Sequence, residues 1–109
     1  MTMVEKQAKF LVDVAQLILW AHEQGIVLTG GELLRTPEQQ KIYFDSKKSK
    51  TMNSRHLEKL AIDLYIIKDG KIGTKEDYAG MAKFWKSLDP QNVAGYDWGW
   101  DSNHFERKP

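Results

Sequence analysis

Two short stretches of this chain bring together residue types that can hold a metal ion and move a proton. In Ser54-Arg55-His56-Leu57-Glu58-Lys59-Leu60-Ala61-Ile62-Asp63, an imidazole and a carboxylate stand seven positions apart, and the carboxylate sits within an otherwise apolar run. An ionised carboxylate on the buried side of a strand costs several kcal/mol unless it is paired or coordinates a metal. Asp63 therefore either binds an ion or faces water on a half-exposed strand. The second stretch, Trp98-Gly99-Trp100-Asp101-Ser102-Asn103-His104-Phe105-Glu106, supplies a further imidazole and, three residues before it, a further acid. Cysteine is absent, so a metal must be held by His, Asp or Glu. Of the three histidines, His22 follows a helical run and precedes Gly25, where a cation suits a helix end better than a metal site. A catalytic zinc takes three protein ligands and keeps a fourth position for water. His56, Asp63 and His104 meet that count for one Zn2+. Asp101 is then placed to take a proton from the attacking water and return it to the leaving amine. An Asp-x-x-His pair alone is weak evidence.

Distance adds a condition. Seven extended residues would separate His56 from Asp63 by roughly 23 Å and point them to opposite faces. The chain is therefore expected to bend between them, at Leu57 to Lys59, returning His56 to the strand that carries Asp63.

The spaced pattern Ser54-x-His56-x-x-Lys59-x-Ala61-x-Asp63, followed by Asp101-x-x-His104-Phe105-Glu106, resembles the zinc D-alanyl-D-alanine carboxypeptidase and L-alanyl-D-glutamate endopeptidase family. The nearest likeness is to bacteriophage endolysin peptidases, and it runs from about Gly30 to Glu106. The family pattern is Ser-x-His-x-x-Gly-x-Ala-x-Asp, then an acid three residues before a final His. The resemblance implies His56, Asp63 and His104 as zinc ligands and Asp101 as the catalytic acid. It also implies Arg35, in Arg35-Thr36-Pro37-Glu38-Gln39, as a substrate-binding arginine that steadies the oxyanion. Ser54 would donate a hydrogen bond to substrate or to a ligand carboxylate, or would be an ordinary loop serine. Lys59 stands where the family has glycine, so a positive φ at the bend would strain the backbone. The substrate implied is a peptidoglycan stem peptide, cut at L-alanyl-D-glutamate. Cleavage as a D,D-carboxypeptidase or D,D-endopeptidase, or a zinc-stabilised wall-binding module that hydrolyses nothing, are the alternatives.

The elements that must position these groups can be read from periodicity. Val4, Ala8, Leu11, Ala15 and Ile18 recur at helical spacing, flanked by Phe10, Val14 and Leu17, with Lys6, Lys9, Asp13 and Gln16 on the other side. Ile26 to Thr29 reads as a short strand closed by Gly30-Gly31. A second helix is expected from Thr36 and Pro37, with Gln39 completing a capping box, and an exposed loop from Asp45 to Asn53. Leu60 to Ile67 is the strongest and most central strand, turning at Asp69-Gly70 toward Ile72. Thr74 should cap a third helix through about Leu88 with Tyr78, Met81, Ala82 and Trp85 inward. The fold class expected is α+β, about three helices on a small antiparallel sheet, in one domain spanning residues 1–109.

Sixteen basic against fifteen acidic residues leave a formal charge of +1, which gives no field to draw the chain onto nucleic acid. The apolar stretch Phe10 to Ala21 is interrupted by Asp13 and Gln16, too short to span a bilayer and without a cleavage site, so neither signal peptide nor membrane anchor is expected. A monomer, made in the cytoplasm and reaching the bacterial wall after release, is the corresponding expectation. Lys47, Lys48 and Lys50 form a basic run that either meets an anionic wall or is simply solvated. Tyr96, Trp98, Trp100 and Phe105 are expected to divide between core and cleft, with at least one ring packed behind His104.

Overall fold

The computed structural model describes residues 1–31, 37–45 and 55–109. Three helices, α1 (Met3–Glu23), α2 (Pro37–Asp45) and α3 (Ala79–Leu88), accompany five strands: β1 (Val27–Gly30), β2 (Ala61–Lys68), β3 (Lys71–Ile72), β4 (Asn92–Ala94) and β5 (His104–Arg107). All pairings are antiparallel, in the order β1-β2-β5-β4 with β3 on β2. The α+β architecture is thus as the sequence indicates, and β2 is the central strand. Thr36 and residues 46–54, where the capping box and most of the polar loop were expected, lie outside the described residues, as do Arg35, Ser54, Lys47, Lys48 and Lys50.

Strand alternation assigns the two faces of the sheet. Leu60, Leu64 and Ile66 of β2 and its approach, with Phe105 of β5, are buried in the core against Phe10, Val14 and Leu17 of α1 and Met81, Ala82 and Trp85 of α3. Asp63 and His104, one residue out of phase, occupy the opposite face. Trp85 ties the layers together. Its ring meets Phe10 and Phe105 edge-on, with centroids 5.6 and 6.0 Å away. Its indole N–H donates to the carbonyls of Val93 and Glu106, both at 3.1 Å. The core thereby fixes β5, the strand that carries His104. Tyr78 completes the packing by accepting the Ile66 N–H at 3.0 Å.

On α1 the buried face is not the stripe that the periodicity brings forward. Phe10, Val14, Leu17 and Ala21 are buried, whereas Val4, Ala8, Leu11, Ala15 and Ile18 are exposed. Asp13, on the polar side, is also buried. It accepts from Lys9, and from the Asn92 amide at 3.2 Å, so its charge is paired inside the fold.

The expected bend is a single 3₁₀ turn, Arg55–Glu58. It closes with Leu60 N–H donating to the Arg55 carbonyl at 3.0 Å, Lys59 N–H to that of His56 at 3.4 Å, and Lys59 itself left-handed at φ 55°. This is the bonding of a Schellman cap, whose left-handed position favours glycine. Lys59 therefore carries strain of about 1 kcal/mol. Lys59→Gly is expected to raise the melting temperature by a few degrees, since about 1 kcal/mol moves a domain of this size by that much. Differential scanning calorimetry checks it, and a lower melting temperature would show that the turn is relaxed with lysine.

Candidate metal centre

His56 is delivered by the turn and held from two sides. Gln7 of α1 donates to the Glu58 carbonyl at 2.8 Å, and the Arg107 N–H donates to that of Leu60, also at 2.8 Å. Asp63 and His104 are directly opposed residues of β2 and β5. Register alone therefore sets their side chains side by side on the face away from the core. His56 Nε2 lies 3.2 Å and His104 Nδ1 3.3 Å from the same oxygen of Asp63, Oδ1. The two imidazoles meet edge-on, centroids 5.1 Å apart.

These distances suit two uses of the cluster, a hydrogen-bonded charge group and a metal site. Charge-assisted N–H···O bonds run at about 2.7–2.9 Å, and both histidine contacts to Asp63 are longer. Ligands about 2.0–2.2 Å from a tetrahedral zinc stand roughly 3.4 Å apart, close to the separations found. His56, Asp63 and His104 offer one ligand atom each, all within 4.8 Å of one another. Two nitrogens and one carboxylate oxygen form a donor set suited to zinc, so the residues fit one divalent ion.

Glu106 settles which nitrogen of His104 faces the centre. Its Oε1 lies 2.8 Å from His104 Nε2, well inside the charge-assisted range. With a proton held there, Nδ1 is the nitrogen left to bind a metal once its own proton is displaced, as a ligand histidine oriented by an outer carboxylate requires. Arg55 approaches the other Glu106 oxygen at 3.9 Å. From the sequence alone, Glu106 is open between orienting a ligand and facing solvent. Its signal was strand alternation, which puts residues 104 and 106 on one face. Glu106→Gln is expected to weaken zinc binding by about 10–100-fold, read by competition with a chromophoric chelator. An unchanged affinity would remove Glu106 from the centre.

Asp101 stands beside the cluster, Oδ2 3.8 Å from His104 Nδ1, with its side chain 28% exposed. The carboxylate thus reaches both the centre and water. Its position depends on backbone packing. The His104 N–H donates to the Asp101 carbonyl at 3.1 Å, and that carbonyl crowds Gly95 so closely that a Cβ there would lie 2.1 Å from it. Gly31 plays the matching part beside Asp63, where an added Cβ would sit 2.9 Å from the Asp63 Cβ. Neither need shows in the sequence, because each arises from chain segments distant in order. Trp98 tilts over His104 with centroids 5.2 Å apart and stacks on Trp100 at 5.8 Å. Both indoles are exposed, while Phe105 is core and Tyr96 packs partly against it. The aromatic group divides as expected, with one ring against His104.

The electrostatics follow from this packing. Burial alone would raise the Asp63 pKa, but the hydrogen bonds of His104 and His56 outweigh it and hold the carboxyl at about 2. Burial would lower that of His104, yet bonds to Asp63 and Glu106, with the nearby Asp101 charge, lift it to about 9. With folded pKa above the ordinary 6.5, His104 stabilises the chelator-treated protein fully below pH 6.5 and loses that contribution as pH rises through about 9. Asp63, shifted the other way, contributes above 3.8 and loses it as pH falls through about 2. A divalent ion held there would compete with the His104 proton, so metal affinity is expected to rise over the interval in which the chelated protein weakens. Melting temperatures from pH 6.5 to 9 should fall with chelator and hold or rise with zinc. Parallel curves would contradict the assignment of His104.

The fold is shared with a solved peptidase structure. The crystal structure of Serratia marcescens L-Ala D-Glu endopeptidase ChiX superimposes with a TM-score of 0.63 at 23% identity, covering 76% of this chain and 68% of that one. No protein-family model matches the sequence, and no curated protein matches it. Among the described residues, no helix is long and apolar enough to cross a membrane.

Proposed function

We propose that this chain is a zinc-dependent peptidase of peptidoglycan stem peptides, of the L-alanyl-D-glutamate endopeptidase type that serves phage or prophage lysis. The observation that carries the reading is the convergence of His56, Asp63 and His104 on one point, with Asp101 beside it, in a fold shared with an L-Ala D-Glu endopeptidase. The resemblance of the two spaced motifs supports the same conclusion independently of the superposition.

In this reading His56, Asp63 and His104 would hold the zinc. When bound, the ion supplies a Lewis acid that polarises the scissile carbonyl and acidifies water. Asp101 accepts the proton of the attacking water and passes it to the departing amine, for which a half-exposed carboxylate beside the centre is suited. Arg35 steadies the negative charge that develops on the carbonyl oxygen, and Ser54 donates to substrate; both roles rest on the motif resemblance. Glu106 keeps the His104 ring in one orientation. The stacked indoles of Trp98 and Trp100 offer a flat apolar wall next to the metal for a peptide to lie against.

Digestion of purified muropeptides followed by mass spectrometry tests the reading. A new N-terminal D-glutamate is the expected product. Loss of a terminal D-alanine would assign the chain to D,D-cleavage, and intact muropeptides with zinc bound would leave a wall-binding module.

A further inference from the structure

Helix α1 carries two apolar faces, and the fold uses one. At 100° per residue, Val4, Ala8, Leu11, Val12, Ala15, Ile18 and Leu19 fall within an arc of about 120° that includes one titratable residue, His22 in the last turn. All seven are exposed, Val4 to 73%, Leu11 to 58% and Leu19 to 59%. A surface helix of a soluble protein normally turns charged or polar groups to this side. Here the charged residues Glu5, Lys6, Lys9 and Glu23 crowd the remaining arc.

We infer that this face is the interface of an antiparallel two-fold dimer in which α1 of one copy lies along α1 of another. Six of its seven residues pair about the point between Leu11 and Val12, and Ile18 falls opposite Glu5. A two-fold axis there sets Val4 opposite Leu19 of the second copy, Ala8 opposite Ala15, and Leu11 opposite Val12. Such self-matching is what an isologous contact demands. Large side chains meet large ones at the ends, and alanine meets alanine between, where small residues let two helices approach closely. The exposed stripe amounts to roughly 600 Å² per copy before flanking contacts are added, against about 800 Å² per partner in interfaces of standard size.

A second feature fits the same register. A groove of about 260 Å³ opens beside the N-terminal half of the stripe, lined by Val4, Gln7, Ala8, Phe10, Leu11 and Lys59. The antiparallel alignment carries Ile18 and Leu19 of the second copy to this groove. Charge argues against a lipid surface as the occupant. Membrane-lying helices carry a basic polar face, whereas on α1 Lys6 and Lys9 are balanced by Glu5, Asp13 and Glu23. The inference replaces the monomer suggested at the level of sequence and is independent of the proposed activity.

Sedimentation equilibrium of the full chain tests it. The expected mass is twice 12.6 kDa, dissociating on dilution. Leu11→Glu should give 12.6 kDa at every concentration, with circular dichroism and thermal melt retained. The chain has no cysteine, so geometry can be read by oxidising single-cysteine variants. A mixture of Ala8→Cys and Ala15→Cys chains should cross-link far more than either variant alone. A wild-type chain that stays at 12.6 kDa up to its solubility limit overturns the inference. So does a monomer that floats with phosphatidylcholine vesicles and loses that property in Leu11→Glu, which would assign the face to lipid.

Discussion

Asp101→Asn is expected to lower peptide cleavage by about 10²–10⁴-fold, the range over which a positioned proton acceptor contributes, while zinc content and thermal stability stay near those of the wild type. The substitution keeps size and shape. The backbone carbonyl of Asp101, which receives the His104 N–H and packs on Gly95, is untouched by it. What disappears is a group that can accept a proton, 3.8 Å from Nδ1 of His104. A structural role for Asp101 would instead surface as a lower melting temperature or lost zinc. Unchanged turnover would discard Asp101 as the proton acceptor.

The second large effect is expected from His56→Ala, in the stability gained from zinc rather than in the rate. An ion bound only by the folded state stabilises it by about 4 kcal/mol when present at a thousand times its dissociation constant. Wild-type protein should therefore melt well above its chelated form. In His56→Ala, two donors remain on β2 and β5, and the difference between zinc and chelator should collapse. The chelated variant should itself melt several degrees below chelated wild type, because the His56 ring is 1% exposed and its removal leaves a buried gap. Thermal melts of both proteins, with and without chelator, separate the two contributions. An undiminished zinc-dependent shift in the variant would exclude His56 as a ligand.

How much of this could be read from the sequence depends on the range of the interaction. The seven-residue spacing of His56 and Asp63 demanded a bend, and a Schellman turn provides it where Lys59 interrupts the glycine pattern. The central strand was legible because its apolar run is long and ends in an Asp69-Gly70 turn, both residues of which have positive φ. The inner face of α3 was legible from periodicity alone, and Met81, Ala82 and Trp85 are buried there. On α1 the same method brought forward the exposed stripe, because two apolar arcs share one helix and hydropathy cannot say which of them meets a sheet. Asp13 read as a solvent-facing charge, since its partner Asn92 lies 79 positions away. Glu106 was within reach through strand alternation. The closeness of Gly95 to Asp101 was not, because it depends on how the chain folds back after β4. For Arg35 and Ser54, the motif resemblance remains the only argument.

All of these expectations depend on His56, Asp63 and His104 sharing one ion. Elemental analysis of protein loaded with zinc and then desalted reads this directly, beside the single variants His56→Ala, Asp63→Asn and His104→Ala. About one zinc per wild-type chain and a marked loss in each variant are expected if the three residues share the ion. Wild-type protein that retains no stoichiometric metal, or variants that retain as much as wild type, would contradict it.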